Sequence, residues 1–168
     1  YDDVMNKQRS EIYSFRKEIL KGENLTDRIM DMLEDVIDEL LSIYCPEEKH
    51  VDDWDMKGLR DALYGVFSLA PDISPMNLDA LREALLSVMK GAYQAKETEI
   101  GSEVMRYLEK VVMLQVIDTQ WKDHLLGMDH LKEGIGLRGY GQKDPLVEYK
   151  KEAFDVFADM TSRLSTEI

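Results

Sequence analysis

An unbroken apolar repeat runs through residues 104–135 and dominates the pattern of the whole sequence. Every step between its apolar positions is three or four residues, close to the roughly 3.5-residue spacing of helices that pack side by side. Such a stripe predicts one long helix, and its apolar face needs a partner along its whole length because burial from water drives packing. Trp121 is in phase with the stripe, so we predict that it is a packing anchor. The stripe consists of Val104, Leu108, Val111, Leu114, Ile117, Trp121, Leu125, Met128, Leu131 and Ile135.

A returning helix is predicted after the glycine-rich segment that follows. Asp144-Pro145 is typical of a helix start, with a capping side chain followed by proline at the first helical position. Apolar residues from Leu146 to Leu164 again recur at helical spacing. Two helices joined by a tight turn predict a long antiparallel hairpin with a glycine-rich tip. The glycines that we interpret as its hinge or turn are Gly134, Gly136, Gly139 and Gly141.

The rest of the chain also has the pattern of helices, so the sequence predicts an all-α fold. An amphipathic helix begins near Val4 and ends or kinks at Lys21-Gly22, and a second apolar run extends from about Asn24 to Pro46. Prolines and glycines punctuate residues 46–77, which we interpret as a small inserted subdomain of short helices. Asn77 is a plausible N-cap for the helix that follows.

Charge and composition exclude several classes of protein. The formal net charge is −13, and an acidic chain repels phosphate backbones, so we expect no nucleic-acid partner. Residues 132–151 are the exception, with five basic against three acidic side chains. The single cysteine, Cys45, excludes an internal disulfide framework and a cysteine-rich zinc site. The chain opens on Tyr1 without an initiator methionine or a signal peptide, so we expect it to be a fragment of something longer.

The motifs associated with catalysis or cofactor binding lack the context that they require. Residues 134–139 match G-x-G-x-x-G, but that motif binds dinucleotides only between a strand and a helix, and a predicted helix precedes it here. No G-x-x-x-x-G-K-[ST] phosphate loop is present. Residues 47–50 contain one Glu-x-x-His, whereas di-iron bundles use two such motifs with two further glutamates. His124 and His130 do not share a helix face, so we predict no catalytic, cofactor-binding or metal-binding residue.

Three interpretations remain on the residues alone. The first is a helical scaffold that presents a hairpin tip, and the second is a free-standing helical adaptor that binds a protein or membrane partner through its basic tip. The third is a bundle metalloenzyme.

Three segments of the sequence decide between them, because they resemble the SecA preprotein translocase family. The longest are VMLQVIDTQWKDHL at residues 112–125 and MDHLKEGIGLRGYGQKDP at residues 128–145. The opening YDDVMNKQR is similar to the start of the family's long scaffold helix. The resemblance implies three parts, namely the first long helix of a helical scaffold at residues 1–45, a helical wing at 46–98, and the scaffold's two-helix finger at 99–168.

The family resemblance also implies a function. SecA is an ATPase that drives unfolded preproteins through the SecYEG channel, so the expected partners are SecYEG, the preprotein and the nucleotide-binding domains of the same parent chain. ATP and Mg are expected in those domains, which makes the parent an enzyme and this fragment not one. The implied location is the cytoplasm, peripheral on the inner face of the cell membrane. Tyr140 lies in the segment at residues 128–145, and its position there implies that it is the aromatic residue at the tip of the finger. The resemblance further implies that Arg138 and Lys143 beside it contact substrate polypeptide.

Overall fold

The structure is a computed structural model that describes residues 2–74, 77–138 and 144–168, with only the backbone of Arg138. These residues form six α-helices and one short 3₁₀ helix, and they contain no strand, so the predicted all-α class is confirmed. The elements are α1 Asp2–Lys21, α2 Leu25–Tyr44, the 3₁₀ helix Val51–Asp53, α3 Met56–Phe67, α4 Leu78–Ile100, α5 Ser102–Arg138 and α6 Pro145–Glu167.

The expectation of one first long helix over residues 1–45 is wrong, because α1 and α2 are separate helices. Gly22 has a φ of 73° and Asn24 a φ of 57°, so two residues of the connection are in the left-handed region. The Gly22 amide donates a hydrogen bond of 2.9 Å to the carbonyl of Ile19, which closes the last turn of α1. The predicted interruption at Lys21-Gly22 is therefore where α1 ends.

The glycine-rich segment also differs from its prediction. Helix α5 continues to Arg138, so Gly134 and Gly136 are helical rather than part of a turn. Neither has a positive φ, and a Cβ atom at either position would meet no heavy atom within 4 Å. A glycine inside a helix costs only about 1 kcal/mol of stability relative to alanine, so these two residues do not end α5. Gly139 and Gly141 lie outside the described residues.

The chain divides into two compact units. Unit 1 comprises Tyr1–Leu25 and Leu108–Ile168, and unit 2 comprises Thr26–Tyr107. The division into a wing at residues 46–98 between two scaffold parts stays a prediction.

Unit 2 is built around the apolar faces of α2, α3 and α4. Leu59 and Leu63 of α3 are fully buried, as are Leu81 and Leu85 of α4. The indole N–H of Trp54 donates to the carbonyl of Pro46 at 3.1 Å and fixes the loop between α2 and α3. Two ion pairs link the exposed edges of α2 and α4, Asp38–Arg82 at 2.6 Å and Glu34–Lys90 at 2.7 Å.

Unit 1 contains α1, most of α5, and α6. Gln120 of α5 hydrogen-bonds with Arg163 and Glu167 near the end of α6, whereas His124 contacts Phe157 one to two turns earlier. Moving forward along α5 therefore moves backward along α6, and the two helices run antiparallel along this face. Met128 and Ile135 of α5 form one buried apolar cluster with Tyr149 and Ala153 of α6, and Ile117 and Met160 are also fully buried.

We expect Gly58→Ala to destabilise unit 2. Asp55 caps α3 by accepting a hydrogen bond of 2.8 Å from the Gly58 amide. A Cβ atom at position 58 would lie 2.8 Å from the Tyr44 ring and would collide with the capping carboxylate. Loss of the cap and overpacking should together lower the free energy of unfolding by about 2 kcal/mol, measured by native-state hydrogen exchange at the Leu59 and Leu63 amides.

Gly65→Ala is the matched control, because a Cβ atom at position 65 of the same helix meets nothing within 4 Å. Its higher helix propensity should raise stability by up to about 1 kcal/mol. Equal effects of the two substitutions would contradict the proposed crowding at Gly58.

Candidate functional site

A polar group is buried where α1, α5 and α6 of unit 1 meet. His124 of α5 is 2% exposed and Gln8 of α1 is 6% exposed. His124 Nε2 lies 2.7 Å from Gln8 Oε1, and Gln8 Nε2 donates a hydrogen bond of 3.2 Å to the carbonyl of Ala153 in α6. One glutamine therefore uses both ends of its amide to join three helices.

The second hydrogen bond determines the protonation of the imidazole. Because Gln8 Nε2 faces a carbonyl oxygen, Gln8 Oε1 must be the acceptor for His124, and His124 Nε2 must donate. In the neutral ring the proton is then on Nε2 and Nδ1 has none. His124 Nδ1 is buried and has no hydrogen-bond partner within the part of the chain that the structure describes.

Aromatic rings enclose the imidazole. Trp121 stacks on His124 with ring centroids 5.3 Å apart and an interplanar angle of 28°. Phe157 lies on α6 with its centroid 5.5 Å from the imidazole and its ring tilted by 58°. Trp121 itself is 8% exposed, so its indole is a large apolar surface placed between helices.

The surroundings disfavour a charge on His124. Burial lowers the pKa of His124, and the positive charge of Arg163 on α6 lowers it further. Arg163 in turn donates to Gln120 Oε1 at 3.3 Å, and Gln120 Nε2 donates to Glu167 at 2.8 Å. A neutral, buried His124 ring whose Nε2–H group donates to Gln8 is suited to fixing the positions of these helices.

The residues predicted to contact substrate are only partly described. Tyr140 and Lys143 lie outside the described residues, and Arg138 is the last residue of α5, of which only the backbone is described. The predictions for these three residues remain predictions.

The residues considered for metal binding or nucleophilic chemistry are not assembled into a site. His50 is exposed and accepts a hydrogen bond of 3.3 Å from the Asp52 amide, which caps the 3₁₀ helix. Cys45 is buried, and burial raises the pKa of its thiol, which disfavours the reactive thiolate. Among residues 2–74, 77–138 and 144–168, no group of three or more His, Cys, Asp or Glu side chains is placed to hold a metal ion.

The ATP and Mg that the family resemblance implies are expected in the nucleotide-binding domains of the parent, and their absence from this chain stays a prediction. A nucleotide site needs backbone amides that cradle phosphates and carboxylate or hydroxyl ligands for the cation. The sequence has no phosphate loop, and the described residues offer no ligand cluster. None of the described helices is both long enough and apolar enough to cross a membrane.

Sequence reasoning missed the role of Gln8. Gln8 is the one polar residue in the helical repeat of the first helix, which consists of Val4, Gln8, Ile12, Phe15 and Ile19. His124 lies three residues after Trp121 and so falls within the apolar stripe of α5. Gln8 and His124 are each a polar residue within the apolar stripe of a helix. Because buried polar groups require hydrogen-bond partners, this pattern could have indicated that the two residues bond to each other.

We expect the stability of unit 1 to fall as the pH drops below about 6.5, the ordinary pKa of an unfolded histidine. Because the folded pKa of His124 is lower, the unfolded chain binds the additional proton first. The decrease is at most about 1.4 kcal/mol per pH unit and stops below the folded pKa. The charged group facing His124 is Arg163, while Gln8, Trp121 and Phe157 are neutral.

Urea unfolding at several pH values, followed by hydrogen exchange in α5, would measure this dependence. His124→Gln should reduce it, whereas the same substitution at the exposed His130 should leave it in place. If His124→Gln retains the full pH dependence of the original chain, His124 is not its source.

Comparison with known proteins places this chain in a family. The sequence matches the family described as SecA Wing and Scaffold domain over residues 1–168. It is 50% identical over 168 residues to the protein translocase subunit SecA of Thermodesulfovibrio yellowstonii, a match that covers 100% of this chain and 19% of the relative. The subunit of Geotalea uraniireducens is 49% identical over 173 residues, with 100% of this chain and 19% of the relative covered. The subunit of Syntrophus aciditrophicus is 46% identical over 171 residues, with 99% of this chain and 20% of the relative covered.

The chain spans about a fifth of the length of the curated relatives it matches. Because the family match extends over every residue of the sequence, this chain belongs to the SecA wing and scaffold domain family.

Proposed function

We propose that this chain is the wing and scaffold portion of a SecA protein translocase subunit and that it contacts the translocating polypeptide. The family match over residues 1–168 is the observation that carries this proposal. In the proposal, the parent couples ATP hydrolysis to movement of unfolded preproteins through the SecYEG channel. It acts in the cytoplasm, peripherally on the inner face of the cell membrane.

The substrate contact is assigned to the tip between α5 and α6. Tyr140 would provide broad contact that tolerates any passing sequence, because an aromatic ring packs against apolar side chains and its hydroxyl can hydrogen-bond. Arg138 and Lys143 would add positive charge that favours acidic channel loops or substrate carboxylates. Gly139 and Gly141 would provide the turn.

The packing of unit 1 supports the transmission of movement to that tip. The hydrogen bonds from His124 to Gln8 and from Gln8 to Ala153 link α1 to both α5 and α6. A displacement of α1 would therefore carry α5 and α6 with it, because slipping between them would leave buried polar groups unpaired. In this proposal the chain transmits force through its helices and contributes no bond-breaking chemistry.

The full-length parent allows a direct test of the tip. Tyr140→Ala should lower preprotein translocation about fivefold, as expected for the loss of a contact worth about 1 kcal/mol, while ATP hydrolysis continues. Tyr140→Phe should retain most translocation because it keeps the ring. Translocation and ATP hydrolysis must be measured in the same reaction.

Tyr64→Ala is the matched control, since Tyr64 is a 61%-exposed tyrosine of α3 in unit 2. Unchanged translocation in Tyr140→Ala would remove Tyr140 from the mechanism. A photo-crosslinker at position 140 that captures no preprotein during secretion would remove the substrate contact altogether.

A further inference from the structure

A surface groove runs between α1 and α5 of unit 1. One cavity of about 500 Å³ is lined by Ile12, Arg16 and Leu20 of α1 and by Trp121 and Leu125 of α5, among others. A second cavity of about 480 Å³ is lined by Met5 and Arg9 of α1 and again by Leu125. Each volume lies within the range of clefts that hold ligands.

The two cavities are parts of one elongated surface. They share Leu125, and their α1 lining extends from Asp2 to Leu20. At the rise of an α-helix this stretch is about 27 Å long, or about five helical turns. A groove of that length between two helices is complementary to a third helix.

The groove has apolar side chains on its exposed edge as well as its floor. Ile12 and Trp121 are buried, whereas Tyr13 is 55% exposed and Leu20 is 46% exposed. Tyr13 and Leu20 are seven residues apart and lie on the same side of α1. Adjacent exposed apolar groups around a cleft are typical of a surface that binds a partner.

Charge identifies the kind of partner. Arg16 and Asp118 neutralise each other across the groove in a two-point ion pair, with N–O distances of 2.9 and 3.3 Å. Lys17 and Lys122 line the same cavity and form no ion pair with any residue that the structure describes. This end of the groove is therefore positive on a chain whose net charge is −13.

The other end of the groove does not select for charge. Its second cavity is lined by Asp2 and Asp129 together with Arg9 and Lys132, two acidic and two basic side chains. A partner with carboxylates near Lys17 and Lys122 gains attraction there and meets no net charge along the rest of the groove.

We propose that the α1–α5 groove binds an amphipathic helix of a protein partner, with its apolar face in the groove and acidic residues at the Lys17–Lys122 end. The anchors of such a helix are apolar side chains at spacings of three, four and seven residues. This binding site is separate from the tip residues and does not depend on their proposed role.

The test uses the 168-residue chain and two synthetic helical peptides of about 18 residues, enough to span the groove. Both carry leucines at helical spacing on one face, and one carries glutamates where the other carries lysines at one end. Fluorescence anisotropy measures the affinities, and amide chemical shifts locate the site. We expect the glutamate peptide to bind at least about tenfold more tightly and to shift the amides of Tyr13 and Leu125.

Charge reversal supplies the variants. Lys17→Glu with Lys122→Glu should reverse the preference between the two peptides. Lys150→Glu with Lys151→Glu makes the same change in charge on exposed residues of α6 and should leave the preference unchanged. Circular dichroism of each variant confirms that the helices are retained.

Several results would overturn the proposal. Equal affinity for both peptides, no binding of either, or an unchanged preference after reversal at Lys17 and Lys122 would each do so. Chemical-shift changes confined to residues outside the groove would also do so, as would displacement of the glutamate peptide by phosphatidylglycerol vesicles, which would indicate a lipid site. None of these results bears on translocation by Tyr140 variants, so the two proposals can fail separately.

Discussion

The buried hydrogen bonds of Gln8 determine how the helices of unit 1 fit together. Apolar stripes specify the axial position of neighbouring helices less strictly, because volume-conserving rearrangements of apolar side chains usually cost less than about 1.5 kcal/mol. A buried side-chain amide restricts shifts along the helix axis more strongly, since each buried donor or acceptor left without a hydrogen bond costs about 1–3 kcal/mol. Gln8 bonds to His124 on one side and to the Ala153 carbonyl on the other, so a shift of α1 by one turn would break both bonds.

The exposed ion pairs contribute less to this arrangement. Arg16–Asp118 also joins α1 to α5, but its side chains are 38% and 54% exposed, and solvent screens such pairs to about 1 kcal/mol or less. Apolar burial supplies most of the stability, and the polar pair selects one alignment among those that apolar burial would accept. The proposed binding groove depends on this alignment, because α1 and α5 form its two sides. The proposed transmission of force to the tip depends on it as well, because Gln8 links α1 to both α5 and α6.

Much of this fold could be predicted from the sequence, and the failures have physical causes. The stripe from Val104 to Ile135 predicted α5, and Asp144-Pro145 predicted the start of α6, because both signals are local. Gly134 and Gly136 were misread as a turn, since glycine permits a turn without requiring one. The Gln8–His124 pair was missed because the two residues are 116 positions apart, and a single sequence contains no record of which stripes face each other. The proposed substrate-contact role of Tyr140, Arg138 and Lys143 came from family resemblance alone, and periodicity could not have supplied it.

A double-mutant cycle at Gln8 and His124 tests the proposed alignment most directly. Gln8→Ala, His124→Ala and the double variant would be compared by hydrogen exchange of the buried α5 amides at Met113, Ile117 and Met128. The Arg16→Ala and Asp118→Ala pair serves as an exposed reference between the same two helices. We expect a coupling free energy of about 1.5–2 kcal/mol for the buried pair and well under 1 kcal/mol for the exposed pair. A coupling at Gln8 and His124 no larger than that of the exposed pair would show that apolar packing alone aligns these helices.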